Sequence, residues 1–135
     1  MKTELSKKNK WWIPKHRRLE LQHFCLQYPD WAKEAMYISN YVSGVDFTQP
    51  RPVNRNLKDV TGELAERLAI LDYRMQMVKD CAYHADSELC FYIRTGVTRG
   101  WVYPRLKTKM DIPCCQDTYY DRLRKFFWFL DKARN

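Results

Sequence analysis

Five cysteines and three histidines are the residues of this 135-residue chain best suited to nucleophilic or metal chemistry. The cysteines are Cys25, Cys81, Cys90, Cys114 and Cys115, and the histidines are His16, His23 and His84. Their spacing argues against both chemistries. The cysteine count is odd and there is no C-x-x-C pair. Cys114 and Cys115 are adjacent, so their side chains point apart and do not readily chelate one ion. The thiols are expected to be reduced, mostly buried small hydrophobes. His84 and Asp86 fall near Cys81 and Cys90, but mixed polar residues at a loop end are the commoner explanation. Asp117 and Asp121 lie one helical turn apart, as an acid–base pair would. Arg122, Arg124 and Lys125 beside them fit ordinary helix salt bridges instead. No Gly-rich phosphate loop, H-E-x-x-H or G-x-S-x-G is present. The chain is expected not to be an enzyme, and to carry no cofactor and no metal.

Binding chemistry is better represented. The formal charge is +8 and it is unevenly spread. Residues 1–18 hold seven Lys/Arg against one Glu, residues 19–93 hold seven against eleven Asp/Glu, and residues 94–135 hold ten against four. Two cationic ends around an acidic middle suit a polyanion partner, because each phosphate neutralised releases a counterion. Solubilising surface charge is the plainer explanation. The C-terminal cations are interleaved with hydrogen-bonding side chains. Arg105, Lys107 and Lys109 precede a break. Gln116, Thr118, Tyr120, Arg122, Arg124 and Lys125 follow it. This is the mixture a DNA-reading helix exposes, with polar groups for base edges and cations for phosphates.

The elements that must position these residues all read as helices, since no segment alternates in the manner of a strand. A first helix is expected from about Lys15 to Gln27, with Leu19, Phe24 or His23, and Leu26 on its apolar face. Pro29 suits the first turn of a second helix, from Asp30 to about Val42, with Trp31, Ala35, Ile38 and Val42 inward. Residues 43–58 contain Gly, Pro and Asn and read as a linker or long loop. Thr61 then reads as the N-cap of a long helix. Along it Leu64, Leu68, Leu71, Met75, Val78, Ala82 and Ala85 alternate steps of four and three. That stripe packs inside one bundle or, as the alternative, forms a homodimer seam. Asp86 or Ser87 caps a fourth helix, through about Thr95, with Leu89, Tyr92 and Ile93 inward, and the two glycines of "TGVTRG" end it. A fifth places Val102, Leu106 and Met110 on one face.

A short helix, a tight break and a longer basic helix make the outline of a helix-turn-helix. Ile112 supplies the apolar residue in the turn, and Cys115 falls at the N-cap. Tyr119, Leu123, Phe126 and Leu130 give the last helix a buried stripe. Gln116, Thr118, Tyr120 and Arg124 are expected on or beside the opposite, exposed face. Phe127, Trp128 and Phe129 exceed what that stripe needs, so some of these rings are expected to contact the N-terminal part or a partner. The fold class is all-α, a helical bundle with a C-terminal helix-turn-helix. Residues 1–58 form a basic arm and helical hairpin, and residues 59–135 the long helix and helix-turn-helix, within one unit overall.

Three stretches, "LELQHFCLQYPDW" (19–31), "TGELAERLAIL" (61–71) and "DIPCCQDTYYDRLRKFFWFLDKAR" (111–134), resemble small proteins of phages and integrated elements of Gram-positive bacteria. Some of these resemble phage transcriptional regulators of the ArpU and RinA type, whose C-terminal part looks like DNA-binding region 4 of sigma factors. Ahead of "DTYYDR" that family has a small residue followed by a basic one; this chain has Cys115 and Gln116. The resemblance implies a DNA-binding transcriptional regulator with double-stranded DNA as partner and host RNA polymerase as a second. The other reading is a phage-encoded protein–protein interaction module acting on a host protein without DNA. No apolar run approaches the ~20 residues of a membrane span. No signal peptide is visible, so the expected location is cytoplasmic.

Overall fold

The computed structural model describes residues 7–43 and 55–135, and the described residues form helices with no strand. The helices are α1 (Lys15–Leu26), α2 (Tyr28–Ser43), α3 (Arg55–Ala85), α4 (Cys90–Arg99), α5 (Tyr103–Met110) and α6 (Gln116–Ala133). The fold is all-α. Much of the expected linker, residues 44–54, lies outside the described residues, as do residues 1–6 of the basic arm.

Only Gln27 separates α1 from α2. Pro29 lacks the N–H that a continuing ladder needs, but a first turn leaves that N–H unpaired in any case. The face that α1 buries is only partly the expected one, sharing Phe24 with it. Leu21, Phe24 and Cys25 are buried while Leu19 and Leu26 are exposed. On α2 the expected residues do turn inward: Trp31, Ala35 and Ile38 are buried and Val42 is half-buried. Phe24 and Trp31 meet edge to face at 4.8 Å and fix the corner between the two helices.

Helix α3 is the spine of the bundle, about 46 Å long at 1.5 Å per residue, and α2, α4 and α6 pack on it. It begins at Arg55, so Thr61 is a residue of its interior rather than its N-cap. The stretch from Arg55 to Val60 contains no Pro or Gly to stop the helix, and Gly62 is accommodated inside it. The four–three stripe is taken up within the chain. Leu71, Val78, Ala82 and Ala85 are buried, and Leu64, Leu68 and Met75 are half-buried against the same core. Glu34 accepts two hydrogen bonds from Arg67, at 2.8 and 3.1 Å, and ties α2 to α3.

After α3, the Asp86 carboxylate accepts hydrogen bonds from the Glu88 and Leu89 N–H groups at 2.9 and 3.0 Å. It thus organises the turn into α4 without being that helix's N-cap, which is Leu89. Helix α4 runs past the expected end at Thr95, through Gly96, and stops at Gly100 in the left-handed conformation (φ 70°). One core, from Ile13 and Leu21 to Phe126 and Leu130, draws on both the 1–58 and 59–135 segments.

Candidate nucleic-acid interface

Helices α5 and α6 are joined by Asp111–Cys115. That is longer than the three or four residues of a tight helix-turn-helix. Side chains nonetheless hold the turn firmly. Ile112 is fully buried. The Tyr103 hydroxyl donates to the Cys114 carbonyl at 2.6 Å, and Lys107 Nζ to the Ile112 carbonyl at 3.3 Å. Asp111 ends α5 with a positive φ of 50°, a conformation that favours glycine. Cys115 is the N-cap of α6, with its Sγ 3.1 Å from the Thr118 hydroxyl. That hydroxyl, with the N–H groups of Thr118 and Asp117, pulls the Cys115 thiol below the ordinary cysteine range.

The nine candidate DNA-binding residues fall into three groups. Arg105, Lys107 and Lys109 on α5 are exposed, as is Gln116 in the first turn of α6. Arg105 lies 4.4 Å over the Trp101 ring, and Lys107 is 3.3 Å from Asp111. Thr118 is half-buried over the Cys115 cap. These residues share one end of the molecule with the exposed carboxylates of Asp111 and Asp117.

Arg122 forms the second group, and it faces elsewhere. Its Nε donates to Asp86 at 3.1 Å and its Nη1 to Asp121 at 2.9 Å, so it clamps α6 to the α3–α4 turn. The third group is Tyr120, Arg124 and Lys125. All three are half-buried, against the expectation that Tyr120 and Arg124 lie on an open face. Lys125 Nζ sits 5.5 Å from the Trp11 ring, and Arg124 Nε is sealed from solvent. The cause is the aromatic run at the end of α6. Besides the expected stripe, of which Leu123 is only half-buried, Phe127 is buried and Trp128 and Phe129 are half-buried. Trp11 packs on Trp128 at 5.3 Å and on Phe129 at 6.4 Å, and Arg18 of α1 lies 4.9 Å over Phe127. The surplus rings therefore make the second contact, to the N-terminal part of the same chain. Helix α6 is largely covered between Thr118 and Asp131, with Gln116 and Asp117 exposed at its N-terminal end and Lys132 and Ala133 at its C-terminal end.

The residues with catalytic or metal-binding potential remain scattered. Among the described residues no three His, Cys, Asp or Glu side chains gather as a metal cluster. All five cysteines are free, but only Cys25 and Cys81 are buried; Cys90 and Cys114 are half-buried and Cys115 is exposed. Burial pushes the Cys25 thiol up to about 12 and the Cys81 thiol to about 11. Among the described residues no helix is long and apolar enough to cross a membrane.

No family model matches the chain, and searches of curated proteins and of solved structures find no match either.

Proposed function

We propose that the chain is a non-catalytic, DNA-binding transcriptional regulator whose α5 and first turn of α6 meet the duplex. One observation carries this reading. Three exposed cations, Arg105, Lys107 and Lys109, lie on the helix that precedes α6, and Gln116 is exposed in the first turn of α6. A glutamine at a helix N-terminus can pair with adenine in the major groove, while neighbouring cations engage phosphates. The reading is narrower than the sequence pattern suggests. Arg122 and Lys125 are engaged with their own chain, and Arg124, Tyr120 and Thr118 are half-buried. Host RNA polymerase stays a proposed second partner, by the likeness to sigma region 4. The test is a binding titration on duplex DNA at several salt concentrations. Lys107→Ala and Lys109→Ala should each lower the salt slope by about one unit, and Gln116→Ala should flatten base preference. Affinity that does not fall steeply with salt in the unmodified protein refutes the proposal.

The protein–protein alternative is favoured by a different surface. On α2 Met36 and Tyr37 are 67% and 70% exposed, and on α3 Tyr73 is 65% exposed. Large apolar side chains this open are a signature of an interaction surface. Binding through them would survive high salt, which separates the two readings.

A further inference from the structure

A groove of about 660 Å³ opens between α1, the end of α4 and α6. It reaches Tyr119 and Tyr120 of α6 and Trp101, the ring over which Arg105 lies. Its walls are largely apolar, with Trp12, Leu19, Val97, Trp101, Leu123 and Phe127 among them. Four cations also line it: Lys7, Lys15, Arg18 and Arg124. Among the described lining residues there is no Asp or Glu. Lys7 and Lys15 are exposed at its edge, whereas Arg18 and Arg124 are half-buried, and a charge drawn from water gains from a partner.

The two arginines sharpen the point. Neither Arg18 nor Arg124 takes part in an ion pair among the described residues, whereas Arg17, Arg67 and Arg122 all do. Arg124 Nε is closed off from solvent with no hydrogen-bond partner. Arg18 is held below its usual range by burial first and by the nearby positive charge of Arg124 second. A buried donor without an acceptor is rare in folded proteins, and here it stands beside a second cation at a pocket of ligand size.

We propose that this groove binds a small amphipathic anion, an apolar chain or ring system ending in one carboxylate or phosphate that Arg18 and Arg124 hold between them. The head group pairs with the two guanidiniums and relieves the repulsion between them. The apolar body lies against Trp12, Trp101, Leu123 and Phe127. An arginine fork suits either head group. The proposal does not rest on the DNA reading, since its charges are Arg18 and Arg124 rather than the α5 cations or Gln116, although Tyr120 and the Trp101 ring under Arg105 line the groove.

The probes are dodecanoate, dodecyl phosphate, dodecanol and dodecyltrimethylammonium, each below its micellar concentration. Calorimetry is read together with tryptophan fluorescence, because Trp12 and Trp101 line the groove. Saturable one-to-one binding of an anionic probe is expected, at least tenfold tighter than dodecanol, with the cationic probe weakest. Binding of dodecanoate alone or dodecyl phosphate alone identifies the head group. Arg124→Met should cost the anion at least tenfold while leaving dodecanol within threefold, and Arg18→Met should act in the same direction. Arg124→Met should also hold or raise the melting temperature of the unliganded protein, since it removes a buried charge without a partner. A residue kept only for structure would do the reverse. No saturable anion binding up to millimolar probe, equal binding of the anionic and cationic probes, or binding unmoved by both arginine variants would overturn the proposal.

Discussion

Gly96 lies where α4 passes closest to α6, and one added methyl group tests that contact. A Cβ built at Gly96 would collide with the Tyr119 hydroxyl and stand 3.2 Å from the Trp101 carbonyl oxygen. Neither neighbour yields easily. Tyr119 is 1% exposed, with Tyr103 at 6.0 Å and Tyr120 at 5.3 Å around its ring. The Trp101 oxygen is backbone, and the Trp101 N–H is itself tied to the Gly96 carbonyl at 3.0 Å. Overpacking of this kind costs about 1–3 kcal/mol. Alanine in place of glycine inside a helix returns about 1 kcal/mol. Gly96→Ala should therefore lose up to about 2 kcal/mol in the parent chain. In the Tyr119→Phe background the obstructing hydroxyl is gone and only the Trp101 carbonyl contact remains, so the same change should cost about 1–2 kcal/mol less. The coupling between the two positions is then about 1–2 kcal/mol, well above the ~0.3–0.5 kcal/mol scatter of independent sites. Urea or thermal melts of the four proteins measure it, at about 3–5 °C per kcal/mol for a chain of this size. If Gly96→Ala has the same effect with and without the hydroxyl, α4 and α6 do not meet at Tyr119. The packing that presents the turn of α6 would then be wrong.

Gly62 is mid-helix with nothing within 4 Å of an added Cβ, so Gly62→Ala should raise stability by about 0.5–1 kcal/mol in thermal melts. Asp111→Gly should relieve the positive φ for a gain of up to about 1 kcal/mol and, by removing a carboxylate beside the proposed interface, tighten DNA binding in titrations. Arg122→Ala breaks the link to Asp86 and should cost about 1 kcal/mol in melts while leaving the DNA salt slope unchanged. Cys115 should alkylate first under iodoacetamide, followed by mass spectrometry. Its depressed pKa puts the thiolate in place at lower pH than in free cysteine, whereas Cys25 and Cys81, at about 12 and 11, stay protonated and slow through neutral pH.

The sequence made the helical class and most of the inward residues of α2 and α6 legible, because their apolar spacing follows the helical period. It also placed Ile112 in the turn and Cys115 at the cap. Two kinds of error have a common origin. The start of α3 and the end of α4 were set by Thr61 and by the first glycine of "TGVTRG". Both are local signals that a packed bundle overrides: Gly96 is in α4 because Tyr119 needs the space, not because the helix ends there. The face of α1 was misjudged because its leucines are split. Leu21 packs while Leu19 and Leu26 line the groove, a feature that no periodicity in a single helix reports.

The exposed face of α6 was the largest misreading, and charge explains it. Arg122, Arg124 and Lys125 look like surface cations by type, and in most helices they would be. Here each is drawn in by a different means: Arg122 by the Asp86 and Asp121 carboxylates, Lys125 by the Trp11 ring, and Arg124 by closure of the groove. Two of the three have a compensating contact within the chain, and Arg124 Nε has none. A bundle that needed only stability could place leucine or methionine at position 124 and lose nothing by it. An unpartnered arginine facing Arg18 across apolar walls makes sense when the acceptor arrives from outside. On the two proposals, Arg105, Lys107 and Lys109 would serve the nucleic-acid surface and Arg124 the anion groove, while Arg122 and Lys125 serve the packing of α6.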